Sequence, residues 1–140
     1  RRGPFIDYGK AEEELNEAVE RYGLVAPSLK VPAILLSGGN MQKLILAREL
    51  SEEHCLIVAS HPTYGLDVAT TEFVRRVLLE ERDKGAGVLL VSEDLEEILA
   101  LSDRVAVIHR GRIVGVFDSN KVSMEEIGLL MAGEEVKAAA

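Results

Sequence analysis

At 140 residues, with 24 acidic and 16 basic side chains and a formal net charge of -8, the chain is long enough for one sizeable core and too short for two ordinary domains. The acidic balance argues against a nucleic-acid-binding surface, which needs clustered Lys and Arg, and the single cysteine excludes an internal disulfide and leaves no metal framework. Apolar runs are too short to span a bilayer and no signal-peptide pattern is present, so the sequence reads as cytosolic.

The opening Arg1-Arg2-Gly3-Pro4 has neither an initiator methionine nor a processing signal and reads as the start of a cut piece. Lys10 to Tyr22 is acidic and carries Leu15, Ala18, Val19 and Tyr22 at helical spacing, which predicts a surface helix ending near Gly23. Pro27 and Pro32 then force an extended connector. Next comes Leu36-Ser37-Gly38-Gly39-Asn40-Met41-Gln42-Lys43, a Ser-Gly-Gly turn opening a predicted helix to Ser51, with Met41, Leu44, Ile45, Ala47 and Leu50 on its buried face. The first N–H groups of a helix lack intrahelical partners and sit at the positive end of its dipole. Ser37 supplies a capping hydroxyl, and Gly38 and Gly39 let an anion approach the backbone. On its own the tripeptide reads as an ordinary helix start rather than a phosphate site.

Cys55-Leu56-Ile57-Val58-Ala59 is a continuous apolar run that predicts a strand buried on both faces, with Cys55 an inert, buried thiol. Val68 to Lys84 predicts an amphipathic helix, capped by Asp67 and stopped at Gly85. Val88 to Val91 is a second buried strand, Asp94 caps a helix through Leu101, and Arg104 to Ile108 is a third strand. Strand, helix, strand, helix, strand predicts right-handed crossovers and a parallel sheet. Arg110-Gly111 turns the chain into an antiparallel partner, Ile113 to Phe117, Ser123 opens a last helix to Met131, and the tail Glu134 to Ala140 is expected to fray. Gly9-Lys10-Ala11 lacks the hydroxyl and the leading strand of a phosphate loop, and His54 and His109 have no second ligand at a useful spacing, so neither set reads as a site.

In open parallel sheets ligands bind beyond the carboxyl ends of the strands, where Ser60-His61-Pro62-Thr63-Tyr64-Gly65-Leu66-Asp67 and Ser92-Glu93-Asp94 fall. With the Ser-Gly-Gly helix, this order resembles the ATP-binding-cassette (ABC) ATPases over nearly the whole chain. Leu36-Ser37-Gly38-Gly39 with Asn40 and Gln42 resembles the signature, and Gly65-Leu66-Asp67 the loop after the Walker B strand. Leu95-Glu96-Glu97-Ile98 through Asp103-Arg104-Val105 resembles the segment after the switch. Leu44 to Leu50, Glu80 to Gly85 and Ile127 to Gly133 are similar to the second cassette of simple-sugar and nucleoside importer ATPases.

The resemblance implies an α/β, P-loop NTPase-like cassette fragment: a mainly parallel sheet flanked by helices, with part of the helical subdomain. Residues 1–52 are then a signature-bearing helical portion and 53–140 the C-terminal part of the nucleotide-binding core, with the phosphate-loop half absent. Where an active cassette has an Asp-Glu pair, this chain has Ser60 and His61, and Glu93 stands at a switch position commonly held by histidine. A hydroxyl is a poor ligand for a hard cation, and an inert His61 is a better reading than a catalytic base. Glu93 reads as a solvated carboxylate at a helix start. No catalytic residue or metal ligand is therefore assigned. By the same resemblance, cassettes work as head-to-tail pairs, so Ser37, Gly38 and Gly39 would close on ATP held by a partner cassette of the same polypeptide. ATP and Mg²⁺ would belong to the full transporter, none bound to this fragment, and permease subunits would hold it at the inner face of the membrane. A scaffold module whose signature touches no nucleotide is the rival reading, and a soluble, non-transport ABC protein a further one. A sheet edge exposed by a missing half leaves both a monomer and a homodimer of the fragment open.

Overall fold

The computed structural model describes residues 7–28 and 30–134. The first four residues and the end of the tail expected to fray, 135–140, lie outside that range. The described residues form α1 (Tyr8–Tyr22), α2 (Gly38–Glu49), β1 (Leu56–Ser60), α3 (Val68–Asp83), β2 (Gly87–Val91), α4 (Leu95–Leu101), β3 (Arg104–His109), β4 (Arg112–Asp118) and α5 (Met124–Ala132). Single 3₁₀ turns precede α2 at Ala33–Leu35 and α5 at Ser119–Lys121. Two compact units emerge, one gathering the residues up to Cys55 with Thr63–Val77, the other Leu56–Pro62 with the residues from Leu78 on.

In the first unit, local chemistry sets the limits of α1. Asp7 Oδ1 accepts from the Lys10 amide at 3.1 Å, and Gly23, left-handed at φ 58°, donates its N–H back to the Val19 carbonyl. The Gly9-Lys10 pair lies inside this helix. Tyr22 and Leu24 are buried, as are Leu46 and Ala47 of α2 and Leu50 at its C-cap, and Tyr22 meets Phe73 edge to face with ring centroids 6.2 Å apart.

In the second unit β1 and β2 pair in parallel, Leu56 opposite Gly87 and Ser60 opposite Val91. Both runs were expected to be buried on two faces, and here the structure differs. Ile57, Ala59, Val88 and Leu90 are half-buried, whereas Leu56, Val58, Leu89 and Val91 form an exposed row, Val58 at 62% and Leu89 at 55%. A side chain alternates faces with period two, so an uninterrupted apolar run says nothing about whether both faces are covered. Cys55 precedes β1 and is exposed rather than buried.

β3 does not extend this pair among the described residues; its ladder partner is β4, antiparallel. The Arg110-Gly111 turn has both φ values positive, 49° and 75°, the conformation that matches hairpin twist, and a hairpin closes a far shorter loop than a crossover. The register shifts between Val107 and Ile108, and a Cβ at Gly115 would overlap the Phe117 ring. Val105 and Val107 then pack with Ile127 and Leu130 of α5 into a core flanked by Leu95, Ile98, Leu99, Phe117 and Val122. An apolar groove of about 720 Å³, lined by Leu89, Leu90, Val105 and Val107 among others, lies between β2 and β3.

The two helices of this unit begin as their sequences require. Asp94 Oδ1 accepts from the Glu96 and Glu97 amides. At α5, Ser123 and Glu126 form a reciprocal capping box. Gly133 ends α5 at φ 86°, and its bare Cα leaves room for the His109 ring, whose Nδ1–H donates to the Met131 carbonyl at 2.9 Å.

Candidate functional site

α2 begins with a side-chain cap. Ser37 is its N-cap, with extended backbone, and its hydroxyl oxygen accepts from the Asn40 amide at 3.4 Å. The first backbone bond of the helix runs from the Met41 amide to the Ser37 carbonyl at 2.8 Å, which leaves the Gly38 and Gly39 amides among the donors a helix cannot satisfy itself. Gly38 is exposed, with no atom within 4 Å of where a Cβ would stand. Gly39 is tighter: a Cβ there would come 2.7 Å from Thr70 Oγ1. Gln42 is half-buried one turn further on.

Thr70 belongs to the first turn of α3, and Asp67 fixes it. The Asp67 carboxylate accepts from the Thr70 amide at 2.9 Å and from its hydroxyl at 2.8 Å. These bonds, the backbone one foremost, hold the Asp67 pKa below the ordinary carboxylate value. The loop before it turns through Gly65 at φ 71°, closed by a bond from the Leu66 amide to the Thr63 carbonyl. Within the first unit, then, the Ser37-Gly38-Gly39 turn and the Gly65-Leu66-Asp67 loop meet through Gly39 and Thr70.

Two contacts that the sequence did not disclose hold this helix from behind. Asn40 Oδ1 accepts from the Val25 amide at 2.9 Å, and Lys43 Nζ donates to the Gly23 carbonyl at 2.9 Å while standing 5.0 Å above the Phe73 ring. Neither follows from spacing, since each joins segments separated by a bend. A polar residue on the inner side of an otherwise apolar helix was the available signal.

In the second unit Ser60, His61 and Glu93 lie at the carboxyl ends of the parallel pair, and all three are exposed. The Ser60 hydroxyl contacts His61 Nδ1 at 3.0 Å, and the His61 amide donates to the Val91 carbonyl at 2.8 Å. His61 takes a left-handed φ of 48°, a conformation uncommon for a side chain of this size. Such a pair offers a hydroxyl and an imidazole and no carboxylate, so it does not fit Mg²⁺, whose ligands are hard oxygens that include carboxylates. The amides at the start of α2 do fit a phosphate. Among the described residues no group of three or more His, Cys, Asp or Glu side chains is arranged to hold a metal ion.

No family model matches the sequence. Curated relatives do. The chain is 41% identical over 132 residues to the nucleoside import ATP-binding protein NupA of Lactococcus lactis, 94% of this chain and 26% of that protein. It is 44% identical over 131 residues to the guanosine import ATP-binding protein NupO of Bacillus subtilis, again 94% of this chain and 26% of the relative. The glucose import ATP-binding protein TsgD13 of Haloferax volcanii is 43% identical over 133 residues, 94% of this chain and 24% of that protein. The chain spans about a quarter of the length of these relatives. A solved dimeric ATP-binding cassette in a post-hydrolysis state, bound to ADP and Pi, matches with a TM-score of 0.69 at 22% identity, over 85% of this chain and 51% of the cassette. An inward-facing ABC transporter described as of the metal-chelate type matches with a TM-score of 0.75 at 16% identity, over 95% of this chain and 53% of that one. Nearly the whole chain thus aligns with one part of the ATP-binding proteins of sugar and nucleoside importers, and its fold is that of part of an ABC cassette.

Proposed function

We propose that these residues are the signature-bearing, C-terminal part of the second cassette of an ABC importer for simple sugars or nucleosides, and that they act on ATP held by a partner cassette. The observation that carries this reading is the start of α2: a Ser37 cap with the open Gly38 and Gly39 amides behind it, in a sequence 41% and 44% identical to nucleoside and guanosine import proteins. Ser37, Gly38 and Gly39 hold the γ-phosphate, Asn40 and Gln42 complete the signature behind them, and Gly65, Leu66 and Asp67 form the adjoining loop. Their contribution is electrostatic, since oriented amides and a helix N-terminus stabilise charge during phosphoryl transfer without chemistry of their own. The residues at the Walker B and switch positions, Ser60, His61 and Glu93, are degenerate, so this chain alone turns over no ATP. ATP and Mg²⁺ belong to the assembled transporter.

The parent protein works at the cytoplasmic face of the membrane through permease subunits; among the described residues no helix is long and apolar enough to cross a bilayer. The test is Ser37→Arg in the assembled transporter, which fills the phosphate position with a long cationic side chain. ATPase activity is expected to fall on the order of a hundredfold, the scale of losing one preorganised oxyanion donor. Unchanged turnover would assign these residues to a scaffold in which the signature meets no nucleotide. Steady, metal-dependent ATP hydrolysis by the isolated 140-residue chain would contradict the degenerate reading of Ser60 and His61.

A further inference from the structure

We infer that Asn40 is a positioning residue that commits the Ser37 hydroxyl to donate toward the anion; the inference rests on the reading of α2 as an ATP-facing signature. The Val25 amide lies 2.9 Å from the Asn40 side-chain oxygen, and an amide N–H can only donate. That bond fixes which way the Asn40 carboxamide faces, Oδ1 toward Val25 and Nδ2 toward Ser37. Asn40 Nδ2 then donates to Ser37 Oγ at 3.0 Å, and the backbone amide of Asn40 approaches the same oxygen at 3.4 Å.

A serine hydroxyl has two acceptor lone pairs and one proton. Both lone pairs of Ser37 are engaged from the Asn40 side. Its proton is therefore turned away from Asn40, toward the exposed N-terminus of α2 where the Gly38 and Gly39 amides also point. The hydroxyl that caps the helix is thereby a donor toward ligand rather than a rotor that spends part of its time accepting. Val25 belongs to the connector after α1 and is anchored there by Gly23, whose carbonyl accepts from Lys43, so the orientation is set by chain distant from the phosphate. Asn40 acts through Ser37 and makes no contact of its own with the transferred group.

The experiment is a double-mutant cycle on ATP turnover by the assembled transporter, with Ser37→Ala, Asn40→Asp, Asn40→Ala and the two Ser37/Asn40 combinations. Asn40→Asp keeps an acceptor for Val25 and places a negative charge where the helix dipole favours one, so the variant folds. It also replaces the donor toward Ser37 by an acceptor, which draws the hydroxyl proton inward. Ser37→Ala and Asn40→Asp are each expected to lower kcat on the order of tenfold or more with KM for ATP changed less than about twofold, because a donor that matters most in the transition state has gone. In the Ser37→Ala background, neither Asn40 substitution is expected to lower kcat further by more than about twofold. Multiplying effects would overturn the inference and make Asn40 an independent contact or a mere support for the fold. Normal kcat in Asn40→Asp with a depressed Ser37→Ala would overturn it as well. Normal kcat in Ser37→Ala would instead remove the ATP-facing reading on which it stands.

Discussion

Different chemistry holds segments together inside each of the two units. In the second, β3, β4 and α5 are held by Val105, Val107, Ile127 and Leu130, side chains whose attraction has no direction and follows buried area. In the first, the start of α2 is tied to distant chain by hydrogen bonds, Asn40 to Val25 and Lys43 to Gly23, and seated on Thr70 by a close contact at Gly39. Apolar joins hold segments together without aiming them. Directional bonds weaken steeply when misaligned, so they fix the angle at which a turn such as Ser37-Gly38-Gly39 presents its amides. The candidate site therefore lies where directional bonds aim a turn.

The largest expected effect tests the apolar side. Ile127 is 2% exposed and central to its cluster, so Ile127→Ala is expected to cost about 2–5 kcal/mol and Ile127→Val about 0.5–1.5. Urea unfolding, with loss of hydrogen-exchange protection at the Val105 and Val107 amides, measures it. A cost below about 1 kcal/mol for the alanine variant would mean that this cluster does not hold the hairpin to α5.

A smaller effect tests the directional side. The 2.7 Å approach of a Gly39 Cβ to Thr70 Oγ1 forces a shift, so Gly39→Ala is expected to destabilise by about 1–2 kcal/mol, overpacking exceeding the roughly 1 kcal/mol helix-propensity gain of alanine. All three tyrosines, Tyr8, Tyr22 and Tyr64, belong to the first unit, so tyrosine emission during urea unfolding reports it. Removing the obstruction with Thr70→Ala is expected to recover about 1 kcal/mol relative to additive single effects. Strict additivity would show that Gly39 and Thr70 do not press on each other.

The helix starts and stops of both units were readable in the sequence, and the contacts between distant segments were not. Ser37, Asp67, Asp94 and Ser123 stand at helix starts where a short polar side chain satisfies an orphan amide. Gly23, Gly85 and Gly111 stand where φ is positive. Such rules are local, and local rules survive without coordinates. The exposed row Leu56, Val58, Leu89 and Val91 was hidden because apolar residues on both faces leave no alternation to read. The hairpin was legible at Arg110-Gly111, but that β3 has no parallel neighbour among the described residues was hidden, because a strand pattern does not name its neighbour. At the candidate site, the residues proposed to meet an anion were marked by a motif. The bonds from Asn40 and Lys43 that orient them join residues 15 and 20 apart, and no periodicity connects those.

The smallest expected effect compares one carboxylate from each unit. Asp67 is held below its ordinary pKa of 3.8 by the Thr70 amide and then its hydroxyl, and Glu126 below 4.5 by the Ser123 amide and then its hydroxyl. A depressed folded pKa means that the unfolded chain binds protons more readily, so each contribution is complete above the unfolded value and is lost as pH falls through the folded one. Both carboxylates reach solvent, which screens the effect and makes it the weakest of the three. Asp67→Asn, followed by tyrosine emission, and Glu126→Gln, followed by exchange at the α5 amides, are each expected to be less stable than the parent at neutral pH. That difference should shrink between about pH 5 and about pH 3 as the parent's carboxylates take up protons. A difference that stays constant across that window would mean that the cap geometry, which an amide side chain partly preserves, matters and the charge does not. Loss in one unit only would show that capping by a carboxylate contributes differently to an aimed helix and to one held by its core.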